Sequence, residues 1–341
     1  MPKEESFAAF MQRALYDPQG GYYSRKIAAL GARGDFSTAA SLSPLLGKAV
    51  ARWLIDQSRL QPDVRTVIEI GGGDGSLMQS VRKELGWWRR RRFAFCMVET
   101  SGVLKMQQRQ RLGDSVHWFD TIESALGSCS GSALIYHNEF LDALPVTLVQ
   151  WDADSRSWKE VWLAHQADGR IKEELRPMAL ESVSTGHFSV LNAWNAETLP
   201  PSPRQRCELH TGIQDWLSVW SPQWKTGSML AIDYGDTFPS LYHRRPNGTL
   251  RAYLLHQRLE GQAVYENVGR QDITSDINFT DLQNWCSRPG WSEPRVETQA
   301  AFINRCLGGG LATRGDAERF LLAPDGAGSA FKCFVVRRQQ Q

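Results

Sequence analysis

Only six of the 341 residues are cysteine, at positions 96, 129, 207, 286, 306 and 333. None forms a C-x-x-C pair or a Cys/His spacing. This disfavours a zinc site and gives no disulfide framework, leaves no metal to expect, and points to a reducing compartment. No charge of one sign dominates: 39 basic against 37 acidic residues leave a net +2, so bulk electrostatics indicate neither nucleic acid nor an acidic membrane. No apolar run approaches the ~20 residues that span a bilayer. The opening MPKEESFAAFMQRAL carries acids early and no apolar h-region, unlike a secretory signal, and it is not Arg-rich and acid-poor like a transit peptide. Internal repeats and long low-complexity tracts are absent. We therefore expect a soluble cytoplasmic protein with no nucleic-acid partner and no membrane span.

The chain is 42% hydrophobic and long enough for one large or two modest domains. Phe7, Phe10, Met11, Ala14 and Leu15 recur at helical spacing after Ser6, an N-cap residue. Pro18, Gly20 and Gly21 then break the helix. Ser43 followed by Pro44 starts a second helix, whose buried face is Leu45, Leu46, Ala49, Val50, Trp53 and Leu54. The tryptophans Trp53, Trp216 and Trp220 fit helix core positions. The one dense basic run, Trp87 to Phe93 (WWRRRRF), reads first as a solvated turn between helix and strand and second as a patch for an acidic partner.

From Thr66 the period changes. TVIEI, FAFCMVE and SALIYHNE read as strands, with SLMQSVRKEL and VLKMQQRQRL as helices between them. That alternation argues for a doubly wound parallel α/β sheet. A fifth strand, SMLAIDYG, begins only at Ser228. The intervening Val146 to Gly227 holds what reads as antiparallel hairpins with Asp and Gly turns, an inserted lid or accessory subdomain. The C-terminal FLLAPDGAGSAFKCFVVRR reads as a strand pair that closes the sheet edge.

TVIEI runs into the turn GGGDGS. Gly71, Gly73 and Gly75 give G-x-G-x-G after Glu69, whereas a dinucleotide fold uses G-x-G-x-x-G to seat a pyrophosphate on helix amides. Here the last position is Ser76, and Asp74 projects where phosphates would sit. At ~4 Å and an effective dielectric of ~20, each like-charge contact costs about 4 kcal/mol before screening. A cationic ligand gains where an anion loses, and S-adenosylmethionine (SAM) carries a sulfonium and no phosphate. Glu69 can orient the loop by accepting backbone amides. Glu99, ending the next strand about 20 residues on, suits a ribose diol, against the alternative of a solvated strand end.

Asp120 precedes a helix and either caps it or accepts from the adenine amino group. IYHNEFLDALPV places His137, Asn138 and Glu139 at the carboxyl edge of a strand, where ligands bind in open sheets. Asn138 positions a substrate nitrogen or its own loop, and Glu139 can pair with a guanidinium in bidentate fashion. His137 reads as structural rather than as a base. Tyr234 lines an acceptor channel or packs with its hydroxyl at the surface. Asp233 reads as a strand-end acid holding the loop, and Asp272 with Thr274 as a turn-stabilising pair.

These segments resemble the MidA family of SAM-dependent methyltransferases, whose mitochondrial members assist complex I assembly. SFAAFMQRALYDPQGGYYS, GDFSTAASLSPLLG, NEFLDALPV, AIDYG, GTLRAY, GRQDITSDINF and ETQAAFI match family segments in order. The resemblance implies a class I (Rossmann-like) methyltransferase with N-terminal helices and an inserted accessory subdomain. It implies SAM as methyl donor and a protein substrate with arginine as acceptor. Carried over residue by residue, Gly34, Asp35 and Thr38 lie against SAM with Glu69, Gly71, Gly73, Gly75, Glu99, Asp120 and Asn138, while Glu139 and Asp142 face the acceptor.

The layout expected is an N-terminal helical segment over the SAM site (1–60), a Rossmann-like core (61–145), an insertion (146–227) and the rest of the core (228–341). A homodimer is compatible with it. The chain departs from the family at Gly72, Asp74 and Ser76 in the glycine turn, at Ser41 where an acid is usual, and at Asp276 and Asn278 in place of His and Asp. It is identified as a divergent bacterial-type member whose target need not be a complex I subunit. A SAM-binding assembly factor without turnover and a small-molecule methyltransferase are the competing functions.

Overall fold

The computed structural model describes residues 3–25, 43–178, 188–194, 201–309 and 315–339. They fall into two compact units, one made of Ile27–Phe140, Ser218–Tyr234 and Cys286–Gln341, the other of Met1–Lys26, Leu141–Leu217 and Gly235–Trp285.

The first unit is built on strands β1 (Thr66–Ile70), β2 (Ala94–Val98), β3 (Val116–Phe119), β4 (Ala133–Asn138), β5 (Gly227–Asp236, of which Gly227 to Tyr234 lie here), β6 (Arg295–Thr298) and β7 (Phe331–Arg338). Their spatial order is β6-β7-β5-β4-β1-β2-β3. Strands β1 to β5 are parallel, and β7 runs antiparallel to both β5 and β6. β1 and β4 read as near-continuous apolar runs because helices cover both faces of a parallel sheet. Val67, Ile68, Leu134 and Ile135 are accordingly fully buried.

The covering helices start where the sequence signals them. In α1 (Pro44–Leu60) the Ser43 hydroxyl accepts from the Leu45 amide at 3.1 Å, with Pro44 in the first turn. Then follow α2 (Ser76–Arg90), α3 (Gly102–Leu112), capped by Ser101, and α4 (Ile122–Ser128), capped by Thr121. Leu46, Val50, Trp53 and Leu54 of α1 meet Met78, Val81 and Leu85 of α2 over Val67, Leu134, Leu230 and Phe302. Each such side chain stabilises the fold by about 1.5–3 kcal/mol when buried. The C-terminal stretch differs from expectation: Asp316–Leu322 and Ala327–Ala330 are helices, and β7 alone is a strand. Asp316 and Glu318 occupy the first turn of the former, where a helix dipole favours acids, and Leu321 is buried.

In the second unit the strands of the insertion form the expected antiparallel meander, Thr147–Asp152, Ser157–His165 and Ile171–Pro177. Its turns are Asx turns: Asp152 accepts from the Asp154 amide and Asp168 from the Arg170 amide. The amino-terminal segment and the insertion are joined by a strand pair. Glu4–Ser6 pairs antiparallel with Trp162–Ala164, and the buried Glu5 accepts from Arg13 (2.5 Å) and bonds His165 (2.7 Å). The amino-terminal helix Phe7–Tyr16, capped by Ser6 as expected, is thereby bound to the insertion. Of the three tryptophans expected in cores, Trp53 and Trp220 are buried and Trp216 only half so.

Gly227 opens β5 at φ 138°, and a Cβ there would lie 1.8 Å from the Ala133 carbonyl oxygen at the start of β4. Gly227→Ala is expected to destabilise the chain by more than about 1 kcal/mol, measured as the shift of its urea midpoint at constant slope.

Candidate functional site

The strand order reverses between β1 and β4, so their carboxyl ends flank the crevice where open α/β sheets bind ligands. Glu69 on β1 sits opposite Tyr136 on β4. Its carboxyl is buried, and the Tyr136 hydroxyl donates to it at 3.2 Å. Burial pushes the Glu69 carboxyl up to about 8, against the bonds from Tyr136 and the Met78 amide.

Beyond β1 the chain turns at once. The Gly71 amide donates to the Val98 carbonyl at 3.0 Å and Gly75 to Gly72 at 2.8 Å. Gly71 adopts φ 60°, and a Cβ there would lie 2.8 Å from the Phe140 ring, so only glycine fits. Gly73 presents its carbonyl to the Gln108 amide at 2.8 Å, and Gly75 is the left-handed N-cap of α2.

Asp74 does not stand free in this turn. One oxygen accepts from the Ser76 amide at 3.0 Å, and the other pairs with Arg111 at 2.7 Å. The negative charge expected to select a cation is thus partly neutralised.

Glu99 ends β2 buried rather than solvated. It accepts from the Ser101 amide at 2.8 Å and from Gln108 Nε2 at 3.2 Å, and burial raises its carboxyl above the usual range. Gln108 was not singled out from the sequence. It is fully buried and joins Gly73, Glu99 and the Trp118 indole, which donates to its Oε1 at 2.9 Å. Its signal was there to read: an amide between Leu104 and Leu112 at i±4 on the buried stripe of α3. Asp120 is exposed and paired with Lys105, which holds its carboxyl below the usual range. The cap of α4 is Thr121, which accepts from the Ser124 amide at 3.2 Å. Of the two roles open to Asp120, the cap therefore falls to its neighbour.

At the end of β4, Asn138 Nδ2 donates to Glu139 Oε1 at 3.0 Å. Asn138 Oδ1 is buried without a hydrogen-bond partner among the described residues. Glu139 adopts φ 51°, a left-handed conformation that costs a non-glycine residue about 1–3 kcal/mol unless its surroundings hold it. They do: its amide donates to Ile232 at 2.9 Å, and the next amide, of Phe140, donates to Asp233 Oδ2 at 3.2 Å. Asp233 is fully buried and accepts from the Tyr234 amide as well, at 3.0 Å. Phe140 leans edge-on against His137, with ring centres 5.4 Å apart. Burial depresses that imidazole to about 3, so it is neutral and serves packing. Tyr234 packs on Phe331 at 3.9 Å between ring centres.

Asp142 belongs to the second unit, on the turn Leu141–Ala143. It is buried there, and burial, reinforced by Asp276 and opposed by Arg251, pushes its carboxyl up to about 6. Asp272 and Thr274 are not a turn pair: they lie on a strand paired with Arg251–Tyr253. Asp272 accepts from the Tyr23 hydroxyl at 2.9 Å, and burial together with the charge of Asp142 moves its carboxyl to about 7. The divergent positions are employed: Asp276 pairs with Arg251 (2.5 Å) and Arg245 (2.6 Å), and Asn278 donates to Ser189 and Asp281. Gly34, Asp35, Thr38 and Ser41 lie outside the described residues.

These residues suit an adenosyl ligand. The glycine turn leaves its backbone bare of side chains where a Cβ at Gly71 would press on Phe140, Glu99 offers acceptor oxygens at a strand end, and among the described residues Asn138 Oδ1 has no donor. The strand order and these strand-end groups are those of a class I methyltransferase. The model of a family of S-adenosyl-L-methionine-dependent methyltransferases matches residues 49–295. A crystal structure of a COG1565 superfamily member from Burkholderia thailandensis, bound to S-adenosyl-homocysteine, superposes with a TM-score of 0.82 at 25% identity, covering 98% of this chain and 88% of that one. The mitochondrial protein arginine methyltransferase NDUFAF7 of Xenopus tropicalis is 26% identical over 80% of this chain and 65% of its own length. The Caenorhabditis elegans homologue is 25% identical over 80% and 66%. The matched region thus spans about two thirds of these curated relatives. The chain belongs to this MidA-type family of SAM-dependent methyltransferases, and SAM is its cofactor.

Two outcomes follow from this geometry. Gly71→Ala strains a left-handed turn against Phe140 and is expected to weaken SAM binding at least about tenfold, that is about 1.4 kcal/mol, by calorimetry. Asp272 holds a proton in the folded state that the unfolded chain loses near pH 4, so stability falls as pH rises from about 4 towards 7. Asp272→Asn keeps an acceptor for Tyr23 and cannot ionise. Its melting temperature should exceed the wild type's above pH 7 and show no gain at pH 4.

Proposed function

We propose that the chain transfers a methyl group from SAM to a protein side chain, with an arginine guanidinium as the acceptor. The observation that carries this reading is the Asn138–Glu139 pair at the end of β4, with one Glu139 oxygen fixed by the neighbouring amide at 3.0 Å. A carboxylate so held presents a defined edge to a guanidinium, whose planar fork of donors matches it bidentately. Glu139 is the residue assigned to that clamp; Asn138 serves both the clamp and the cofactor. The relatives named as protein arginine methyltransferases support the acceptor class.

When bound, SAM supplies an electrophilic methyl group on a sulfonium sulfur. The protein's own contribution is positioning, which in well-oriented systems supplies up to roughly 7–11 kcal/mol. Gly71, Gly73 and Gly75 let the backbone approach the ligand. Glu99, held by Ser101 and Gln108, accepts from the ribose hydroxyls. Glu139 aims one guanidinium nitrogen and offsets the acceptor's positive charge. Asp233 keeps Glu139 in its left-handed conformation through the Phe140 amide.

The test is mass spectrometry of a lysate from a strain lacking the protein, incubated with the purified chain and isotope-labelled SAM. Methylarginine in one or a few proteins is expected, and Glu139→Ala should lower the rate roughly 10²-fold with SAM affinity unchanged. Label in metabolites and none in protein would overturn the protein acceptor. Label in neither, with SAM still bound, would mean an assembly factor without turnover.

A further inference from the structure

The methyl-transfer reading leaves the run Trp87 to Phe93 without a role. Gly86 breaks α2 at φ 68°, ψ 170°, and the two residues after it carry indoles into solvent, Trp87 at 52% and Trp88 at 79% exposure. The rings meet edge to face at 4.4 Å, and the Arg91 guanidinium lies 4.5 Å from the Trp87 ring centre. Arg89, Arg91 and Arg92 are exposed. Among the described residues none of Arg89, Arg90, Arg91 and Arg92 enters an ion pair. Arg65, also exposed, lies alongside, since its carbonyl accepts from the Ala94 amide at 2.9 Å. The turn is anchored from beneath: the Phe93 amide donates to Arg90, and the Phe93 ring packs on Phe95.

A bare solvated turn does not explain two adjacent tryptophans, each of which would gain free energy by leaving water. We propose that this turn docks the protein peripherally on an anionic lipid bilayer, the indoles seated at headgroup level and the arginines facing the lipid phosphates. Indoles partition to the membrane interface because one body is apolar and the N–H is polar. Basic side chains beside them add attraction to an anionic leaflet. A single-stranded nucleic acid fits less well: it stacks successive bases on open ring faces, whereas here the rings are edge to face and Arg91 covers Trp87. Topology agrees. The turn joins α2 to the start of β2, hence the amino edge of the sheet, opposite the carboxyl edge that carries Gly71, Glu99 and Asn138. A bilayer at the amino edge leaves the reaction edge open.

Co-sedimentation of the full chain with vesicles of phosphatidylcholine, alone or mixed with phosphatidylglycerol, tests this. Binding is expected to the mixed vesicles only and to fall with added salt. Arg91→Ser/Arg92→Ser should weaken it roughly 25-fold, taking roughly fivefold per arginine. Trp87→Ser/Trp88→Ser should abolish it, and both variants should keep wild-type SAM affinity and melting temperature. Absence of vesicle binding by the wild type, or unchanged binding by both variants, would overturn the proposal. So would capture by poly(U) or polyglutamate exceeding that by the anionic vesicles.

Discussion

The contact between the ends of β1 and β4 organises the site. Tyr136 donates to Glu69 across the sheet, and one turn further Phe140 lies where a side chain at Gly71 would have to go. The glycine turn and the Asn138–Glu139 corner are therefore set by one another as well as by their own strands. Asp233, reaching from β5, fixes the second corner. Three adjacent parallel strands thus define the positions of groups remote in sequence, and the strain at Glu139 persists because one backbone hydrogen bond and one from the next amide to a buried carboxylate hold it.

The electrostatics are quieter than the count of acids implies. Burial pushes the Glu69 carboxyl up to about 8, Glu99 is shifted in the same direction, and Asp74 is matched by Arg111. What this turn offers a ligand is therefore the shape of its glycine backbone and the strand-end acceptors more than raw negative potential.

Much of the core was legible in the sequence because its signals are local. Apolar runs of strand length, helix periods after Ser6 and Ser43, and glycine where the backbone turns left-handed all act within a few residues. Roles decided by tertiary neighbours were not. Nothing within its own segment shows that Asp120 would yield its cap to Thr121, that Asp74 would meet Arg111 from α3, or that Asp272 would sit on a strand facing Tyr23. The C-terminal helix Asp316–Leu322 was misread because a short apolar stretch has no clear period. Gln108 was overlooked because its meaning lies in Glu99, Gly73 and Trp118, none of them on its own helix.

The pairing of Glu4–Ser6 with Trp162–Ala164 has a bearing on biosynthesis. Glu4 and Ala164 are partners across 160 positions (164 minus 4), so during translation the first strand emerges long before its mate exists. Residues 66–138, with four of the five parallel strands, are made in between. The nascent chain must hold its leading edge strand unpaired through that interval, the setting in which stray edge-to-edge association arises and chaperones are engaged.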